Sequence, residues 1–72
     1  MQKKIKIKKI EDHTERAIIL LLKERGKCRM GDILMNLKLG YRKGYRYLDE
    51  LNGKKWIRIE NGPYYRLQVD VE

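Results

Sequence analysis

Two arginines and a tyrosine between residues 37 and 51 have the types and the spacing to bind a polyanion. Projected as a helix at about 100° per residue, this stretch sorts into two sides. One side holds Arg42, Tyr45, Arg46 and Asp49, and the opposite side holds Gly44, Tyr47, Leu48 and Leu51. Guanidinium groups form paired hydrogen bonds with phosphates and with guanine edges. The first side therefore favours contact with nucleic acid, although an ordinary amphipathic helix with a solvated basic side gives the same pattern.

Positive charge is concentrated in two segments of the chain. The 72 residues carry a net charge of +8. Residues 1–10 hold five lysines and no acid, and residues 38–58 hold seven lysines and arginines against two acids. Such concentration is typical of proteins that bind polyanions. The abundance of Lys, Arg and Glu is also compatible with a thermophilic source.

The residue types that catalysis and metal binding require are scarce. His13 is the only histidine and Cys28 the only cysteine, which excludes a His- or Cys-based catalytic set and a structural zinc site within one chain. The glycines form no phosphate-binding loop. We therefore expect no enzymatic activity, no metal, no cofactor and no small-molecule substrate. The sequence has no membrane-spanning apolar run and no signal-peptide pattern, so we expect a cytoplasmic protein that does not enter membranes.

The length predicts one small domain, divided into a basic segment at residues 1–10 and a folded unit at residues 11–72. Isoleucines alternate with lysines over residues 3–10, which predicts a strand. A disordered basic arm remains an open alternative.

The first predicted helix covers residues 15–25. Asp12 or Thr14 is available as its N-cap, and Gly26 is well placed just after its end. Ile19 and Leu20 lie outside the arc that the helix's other apolar residues form, so this helix needs cover on more than one side. The cover is either the N-terminal strand or a second subunit, unless the two residues are simply exposed.

A second helix is predicted over residues 31–37, and the short turn of residues 38–40 leads into the third helix. Two helices joined by so tight a turn are typical of the helix-turn-helix unit, whose second helix enters the major groove of DNA. The same composition also occurs in purely structural helix pairs. The third helix is predicted to end at Asn52 and Gly53.

Two alternating segments at residues 56–60 and 64–69 predict a β-hairpin. A two-residue loop would place the apolar residues of the two strands on opposite faces, so we predict a three-residue loop at residues 61–63. This register sets Arg58 directly opposite Arg66. Like charges at facing positions repel, so either an anion sits between the two arginines or their side chains spread into water.

The order helix, helix, turn, helix, hairpin resembles that of winged helix-turn-helix proteins, closest in style to small archaeal regulators, including those of plasmids and viruses. The resemblance covers roughly residues 14–69 and rests on segments 18–26, 33–34 with 37, 39–41, 45–51, 56–58 and 61–67. Three residues depart from the family pattern. Lys55 replaces a usual glycine, Gly40 replaces a usual Ser or Thr cap, and Gly44 occupies a core position that is usually β-branched. A glycine there weakens the helix but permits close packing on the second helix.

The resemblance implies an α+β winged helix-turn-helix fold that binds double-stranded DNA, with the third helix in the major groove, as a transcriptional regulator. The residues expected on the recognition helix are Tyr41, Arg42, Lys43, Tyr45, Arg46 and Asp49. The residues expected on phosphates, at the wing base and the N-terminus, are Lys4, Lys6, Lys8, Lys38, Lys54, Lys55, Arg58 and Arg66. Little is expected from the wing tip at residues 60–62, which is acidic or neutral.

We also expect a homodimer that binds a roughly palindromic site. The residues expected at the dimer interface are Ile5, Ile7, Ile19 and Leu20. Two alternatives to DNA binding remain. The first is an RNA-binding winged domain, for which the aromatic residues Tyr41, Tyr45, Trp56 and Tyr64 could stack on bases. The second is a winged domain that binds only proteins, against which the basic recognition side argues.

Overall fold

Helices and short strands alternate along the chain, of which the computed structural model describes residues 3–60 and 64–72. The helices are α1 at His13–Arg25, α2 at Met30–Leu37 and α3 at Tyr41–Gly53. The strands are β1 at Lys4–Ile5, β2 at Lys27–Arg29, β3 at Ile57–Glu60, β4 at Tyr64–Leu67 and β5 at Asp70–Val71. All three predicted helices are therefore present, and α3 ends at Gly53 as expected.

Helix α1 ends at Arg25 as predicted but begins at His13, two residues before the predicted start. The N-cap is Asp12, whose Oδ1 accepts the backbone N–H groups of Thr14 at 2.8 Å and Glu15 at 3.1 Å. Gly26 follows the last turn with φ 86°, and its N–H donates to the carbonyl of Leu22. A left-handed residue at this point favours glycine, which has no Cβ to clash.

Helices α2 and α3 pack closely across the short turn between them. Gly44 is buried on the inner side of α3, and a Cβ at this position would overlap the side chain of Leu34 on α2. The expectation that Gly44 permits close helix packing is confirmed. Gly40 occupies the N-cap position of α3 without a side-chain hydrogen bond.

The wing, defined here as the β3–β4 hairpin, belongs to a three-stranded antiparallel sheet in the order β2-β4-β3. Glu60 pairs with Tyr64 and Arg58 pairs with Arg66, which is the predicted register. The predicted loop residues Asn61, Gly62 and Pro63 lie outside the described residues. Strand β2 was not expected, because three residues are too few to reveal an alternating pattern.

The predicted strand over residues 3–10 is wrong in its length. β1 spans two residues and pairs in parallel with β5, which was also not expected. A 3₁₀ turn at Ile7–Lys9 follows. This turn breaks the alternation and allows Ile10 to be buried in the core together with Ile5.

The expectation that Ile19 lies beyond the reach of its own core is wrong, because its side chain is fully buried. Helix α1 contacts α2 and α3 as well as β2 and β4, so one chain covers it on several sides. Ile5 belongs to the same core. Neither isoleucine is therefore offered to a second subunit. Leu20 is 45% exposed, and Ile7 is half-buried.

Three helices, of which α2 and α3 form a helix-turn-helix, are followed by a hairpin that completes a small sheet with β2. This is the winged helix-turn-helix fold of the α+β class, with an additional N-terminal strand. Of the helices in residues 3–60 and 64–72, none is long and apolar enough to cross a membrane.

Candidate nucleic-acid interface

The outward side of α3 carries the side chains that the sequence singles out. Arg42, Tyr45, Arg46 and Asp49 are all exposed, whereas Gly44, Leu48 and Leu51 on the inner side are buried. Within the described residues, no carboxylate oxygen lies within 4.0 Å of the side-chain nitrogens of Arg42, Lys43 or Arg46. The positive charges of α3 are therefore free to bind an external anion.

An exposed aromatic pair lies at the start of α3. The rings of Tyr41 and Tyr45 stack with centroids 6.3 Å apart and an interplanar angle of 21°. Beside Tyr45, a crevice of about 40 Å³ separates α3 from the inner face of the wing. Ile59, expected to lie on the core side of the hairpin, lines this crevice and remains 54% exposed, because the sheet extends past the core.

A wider cleft of about 490 Å³ flanks the other edge of α3. Its lining residues are Asp12, Arg42, Lys43, Arg46, Tyr47 and Glu50. The Asp12 carboxylate accepts a hydrogen bond from the Tyr47 hydroxyl at 2.9 Å. The backbone N–H of Glu15 and this hydroxyl lower the pKa of Asp12, so the acid is held ionised as a structural group. Lys43 at the rim also lowers the pKa of Asp12, although among the described residues none of the rim cations lies within 4.0 Å of its carboxylate.

Two exposed lysines, Lys38 and Lys55, lie at the two ends of α3 in the left-handed backbone region. Lys38 has φ 53° and Lys55 has φ 64°. Each follows a helix in a Schellman arrangement, in which the N–H groups of Leu39 and Trp56 bond back to Leu34 and Leu51. Lys55 therefore occupies a position that favours glycine, in agreement with the noted departure from the family pattern.

The wing arginines are paired with an acid of their own hairpin. Glu60 accepts hydrogen bonds from Arg58 at 2.8 Å and from Arg66 at 3.2 Å, and these pairs lower the pKa of its carboxyl. The anion beside the two facing arginines is therefore the Glu60 carboxylate of the same chain. Lys54 is likewise paired with Glu15 at 2.9 Å. Arg58, Arg66 and Lys54, which were expected to bind phosphates, are therefore less available to an external anion than the cations of α3.

Two further cations join the wing arginines on the same face of the sheet. Lys27 pairs with Arg66 across the β2–β4 ladder, and Arg29 pairs with Tyr64. The alternating side chains place Lys27, Arg29, Arg58, Glu60, Tyr64 and Arg66 together on the side away from the core, here called the outer sheet face. Sequence reasoning missed Lys27 and Arg29. Their only signal was a polar-apolar-polar triplet around Cys28.

The N-terminal lysines lie near Trp56, at the base of the wing. A groove of about 370 Å³ is lined by Lys4, Ile5, Lys6, Lys9, Ile10 and Trp56. Lys8 lies beside Ile7 and Glu72 at a neighbouring hollow. Lys4 is 4.0 Å from the Glu72 carboxylate, in a largely exposed pair. Such a pair contributes little stability and leaves the lysine available to another anion.

The four aromatic residues considered for base stacking do not form one open platform. Tyr41 and Tyr45 lie on α3, Tyr64 lies on β4, and Trp56 directly precedes β3. Lys54 lies over the Trp56 ring at 4.7 Å, and Lys27 and Arg29 lie over the Tyr64 ring at 4.9 Å and 5.2 Å. At least one cation thus lies over the ring of Trp56 and over the ring of Tyr64.

The single cysteine and the single histidine do not form a site together. Cys28 is buried in the core, and burial raises the pKa of its thiol. His13 is exposed at the first turn of α1. No group of three His, Cys, Asp or Glu side chains suited to a metal ion occurs in the part of the chain that the structure describes.

Comparisons of this chain with protein families, with curated proteins and with solved structures return no match. A function for this chain must therefore be argued from the chemistry of its own surfaces.

Proposed function

We propose that this protein binds double-stranded DNA at specific sequences, with α3 in the major groove, and acts as a transcriptional regulator. The observation that carries the proposal is the contrast between the arginines of α3 and the cations expected at the base of the wing. Arg42 and Arg46 are exposed and unpaired among the described residues, whereas Arg58, Arg66 and Lys54 are paired with carboxylates. Unpaired guanidinium groups on a helix bind guanine edges in the major groove.

Arg42 and Arg46 line the cleft at one edge of α3, and at the other edge Tyr45 lies next to exposed Ile59. Together Tyr45 and Ile59 offer an apolar surface to a thymine methyl group, while the tyrosine hydroxyl offers a hydrogen bond to a base edge or a phosphate. Lys38 and Lys55, one at each end of α3, are suited to phosphates on the two sides of the groove. The N-terminal lysines Lys4, Lys6 and Lys8 would add phosphate contacts that carry no sequence choice.

RNA is the main competitor as a ligand. Single-stranded RNA is recognised by bases stacked on open aromatic faces. Cations lie over the rings of Trp56 and Tyr64, and the rings of Tyr41 and Tyr45 stack on each other, so each of the four aromatic residues already has a partner. The arrangement favours duplex DNA over RNA.

The test is selection of bound duplexes from a random-sequence library, followed by titration of Arg42→Ala and Arg46→Ala on the selected site. Each substitution should cost about 1–3 kcal/mol of binding free energy and relax the preference at one base position. Lys23→Ala, an exposed cation on α1, is the matched control. Unchanged affinity in the double variant, with an intact fold and RNA competing as well as DNA, would remove the proposal.

The phosphate contacts of the N-terminus are tested by the triple substitution of Lys4, Lys6 and Lys8 to glutamine. Truncation is unsuitable because Ile5 and Ile10 belong to the core. Each lost contact should lower the slope of log affinity against log salt by roughly 0.9. An unchanged slope would show that these lysines do not touch the DNA.

A further inference from the structure

The outer sheet face presents cations at facing positions on three strands. Lys27, Arg66 and Arg58 form a row across β2, β4 and β3, and Arg29 lies in the next row beside Tyr64. Adjacent strands lie about 4.8 Å apart, so the row spans roughly 10 Å. Like charges at facing positions destabilise a sheet. Glu60 offsets only the Arg58 and Arg66 part of this repulsion.

This face points away from the DNA surface proposed for α3. Helix α3 packs on β3, and its buried residues share one core with the inward-facing Ile57. The part of the wing next to exposed Tyr45 is its inner face, with Ile59 and Tyr65. Since side chains alternate along a strand, Arg58 and Arg66 project to the other side. A straight duplex against α3 would meet the inner face of the wing and not the outer one.

The chemistry of the outer sheet face fits a phosphate backbone. Its residues carry four positive charges and one negative charge. Among the described residues, no carboxylate oxygen lies within 4.0 Å of the side-chain nitrogens of Lys27 or Arg29. The large exposed apolar residues of the structure all lie elsewhere, so the face offers no anchor of the kind that protein interfaces use. Lys27 and Arg29 both lie over the Tyr64 ring, so the aromatic residue of this face already has cationic partners.

We propose that the outer sheet face is a second binding surface for duplex DNA, so that one protein molecule holds two duplex segments. One segment lies on α3 and is chosen by sequence, and the other lies on Lys27, Arg29, Arg58 and Arg66 and is held by its phosphates. The proposal rests on the proposed function for the identity of the first ligand. Under this proposal, Arg58 and Arg66 contact the second segment and not the duplex that α3 binds.

The experiment is capture of a second duplex by protein that is bound to an immobilised, selected site. The probe is a fluorescent duplex of about 20 base pairs and unrelated sequence, long enough to offer a continuous phosphate backbone. The wild-type protein should retain the probe. The double variant Lys27→Gln, Arg29→Gln should bind the immobilised site as before and retain about tenfold less probe, with a salt slope for probe binding lower by about 1.8.

Three further variants make the result specific. Lys27→Arg with Arg29→Lys keeps the charges and should restore capture. Lys23→Gln with Arg25→Gln removes the same charge from α1 and should leave capture unchanged. Glu60→Gln frees Arg58 and Arg66 and should increase capture.

Two results would overturn the inference. One is a wild-type complex that binds its selected site and retains no probe, and the other is full capture by Lys27→Gln, Arg29→Gln. The proposed function fails separately, since it requires that Arg42→Ala, Arg46→Ala weaken binding to the selected site. A protein whose DNA binding depends on Lys27 and Arg29 but not on Arg42 and Arg46 would keep the outer sheet face as a DNA surface and remove α3 as the reader.

Discussion

Asp12 connects the start of α1 to the proposed recognition helix. One carboxylate oxygen caps α1, and the other accepts the hydroxyl of Tyr47 on α3. The N–H of Glu15 and the Tyr47 hydroxyl lower the pKa of Asp12, and the same hydrogen bond raises the pKa of Tyr47. A single acid thus connects α1 to α3 through hydrogen bonds.

The stability that Asp12 contributes should depend on pH. A pKa that is lower in the folded state stabilises the fold above the unfolded-state pKa of about 3.9, and this contribution is lost as the pH falls through the folded-state value. Asp12→Ala should therefore lower the free energy of unfolding at pH 7, and its difference from the wild type should shrink in acid. Urea unfolding at neutral and acidic pH measures the difference. Glu11→Ala, which removes the exposed neighbouring acid, is the control. If Asp12→Ala lowered the free energy of unfolding equally at both pH values, the assignment would be contradicted.

Lys38 and Lys55 combine an unfavourable backbone conformation with a charge at each end of α3. A non-glycine residue in the left-handed region costs roughly 1–2 kcal/mol. The presence of lysine at both positions is accounted for if the charge contributes to binding, since backbone strain is often found at functional sites.

Lys55→Gly should raise the free energy of unfolding by about 1 kcal/mol, because glycine adopts φ 64° without a Cβ clash. The same change should weaken DNA binding through loss of one phosphate contact. Lys55→Ala separates the two effects, since it keeps the strain and loses the charge. The proposal for Lys55 would be wrong if Lys55→Gly bound DNA as tightly as the wild type.

At the scale of elements, the contact between α2 and α3 sets the position of the reading surface. The contact is close because Gly44 has no side chain and Leu34 fills the space where a Cβ would lie. A shift of α3 away from α2 would move Arg42 and Arg46 relative to the phosphate ligands at its ends. The glycine therefore weakens α3 as a helix but fixes its placement.

Gly44→Val should lower the free energy of unfolding by about 1–3 kcal/mol, because the new side chain overlaps Leu34. In a Leu34→Ala background the same substitution should cost less, since the overlapping atoms are gone. Chemical denaturation of the four proteins in this cycle measures the coupling. Gly31→Val is the control, because a Cβ at residue 31 meets no atom within 4 Å. Additive effects of Gly44→Val and Leu34→Ala would contradict the packing argument.

At the scale of the molecule, the proposed homodimer depends on a smaller surface than the sequence indicates. Ile5 and Ile19 are part of the chain's own core, which leaves exposed Leu20 on α1 with half-buried Ile7. We propose that α1 packs against its copy through Leu20. Helix-turn-helix dimers bind half-sites about 34 Å apart, one turn of the duplex, and this is the spacing that we expect.

Light scattering at micromolar concentration should give twice the chain mass of 8.7 kDa for the wild type and the single mass for Leu20→Glu. A charge in the centre of an apolar interface opposes association. Met35→Glu, which places the same charge at an exposed residue on α2, should remain dimeric. A wild-type monomer that still binds its selected DNA tightly would exclude the dimer and leave the proposed function standing.

Local sequence patterns determined much of this fold. The period of apolar residues placed α1, α2 and α3, and Gly26 marked the end of α1, whereas the choice between Asp12 and Thr14 as its N-cap stayed open. The alternation of the hairpin strands chose the three-residue loop, because a slip of one residue would have exposed Ile57. The inner and outer sides of α3 were also predictable, since side chains three or four residues apart lie on the same side of a helix. These features depend on neighbours along the chain.

The tertiary structure decided what depends on residues far apart in the sequence. Ile19 is buried because α2, α3, β2 and β4 surround α1, which no single helix projection can reveal. Lys27 and Arg29 join the wing only through the pairing of β2 with β4, between residues almost forty positions apart. A periodic pattern gives the direction of each side chain from its own element, but what lies in that direction depends on how the elements pack.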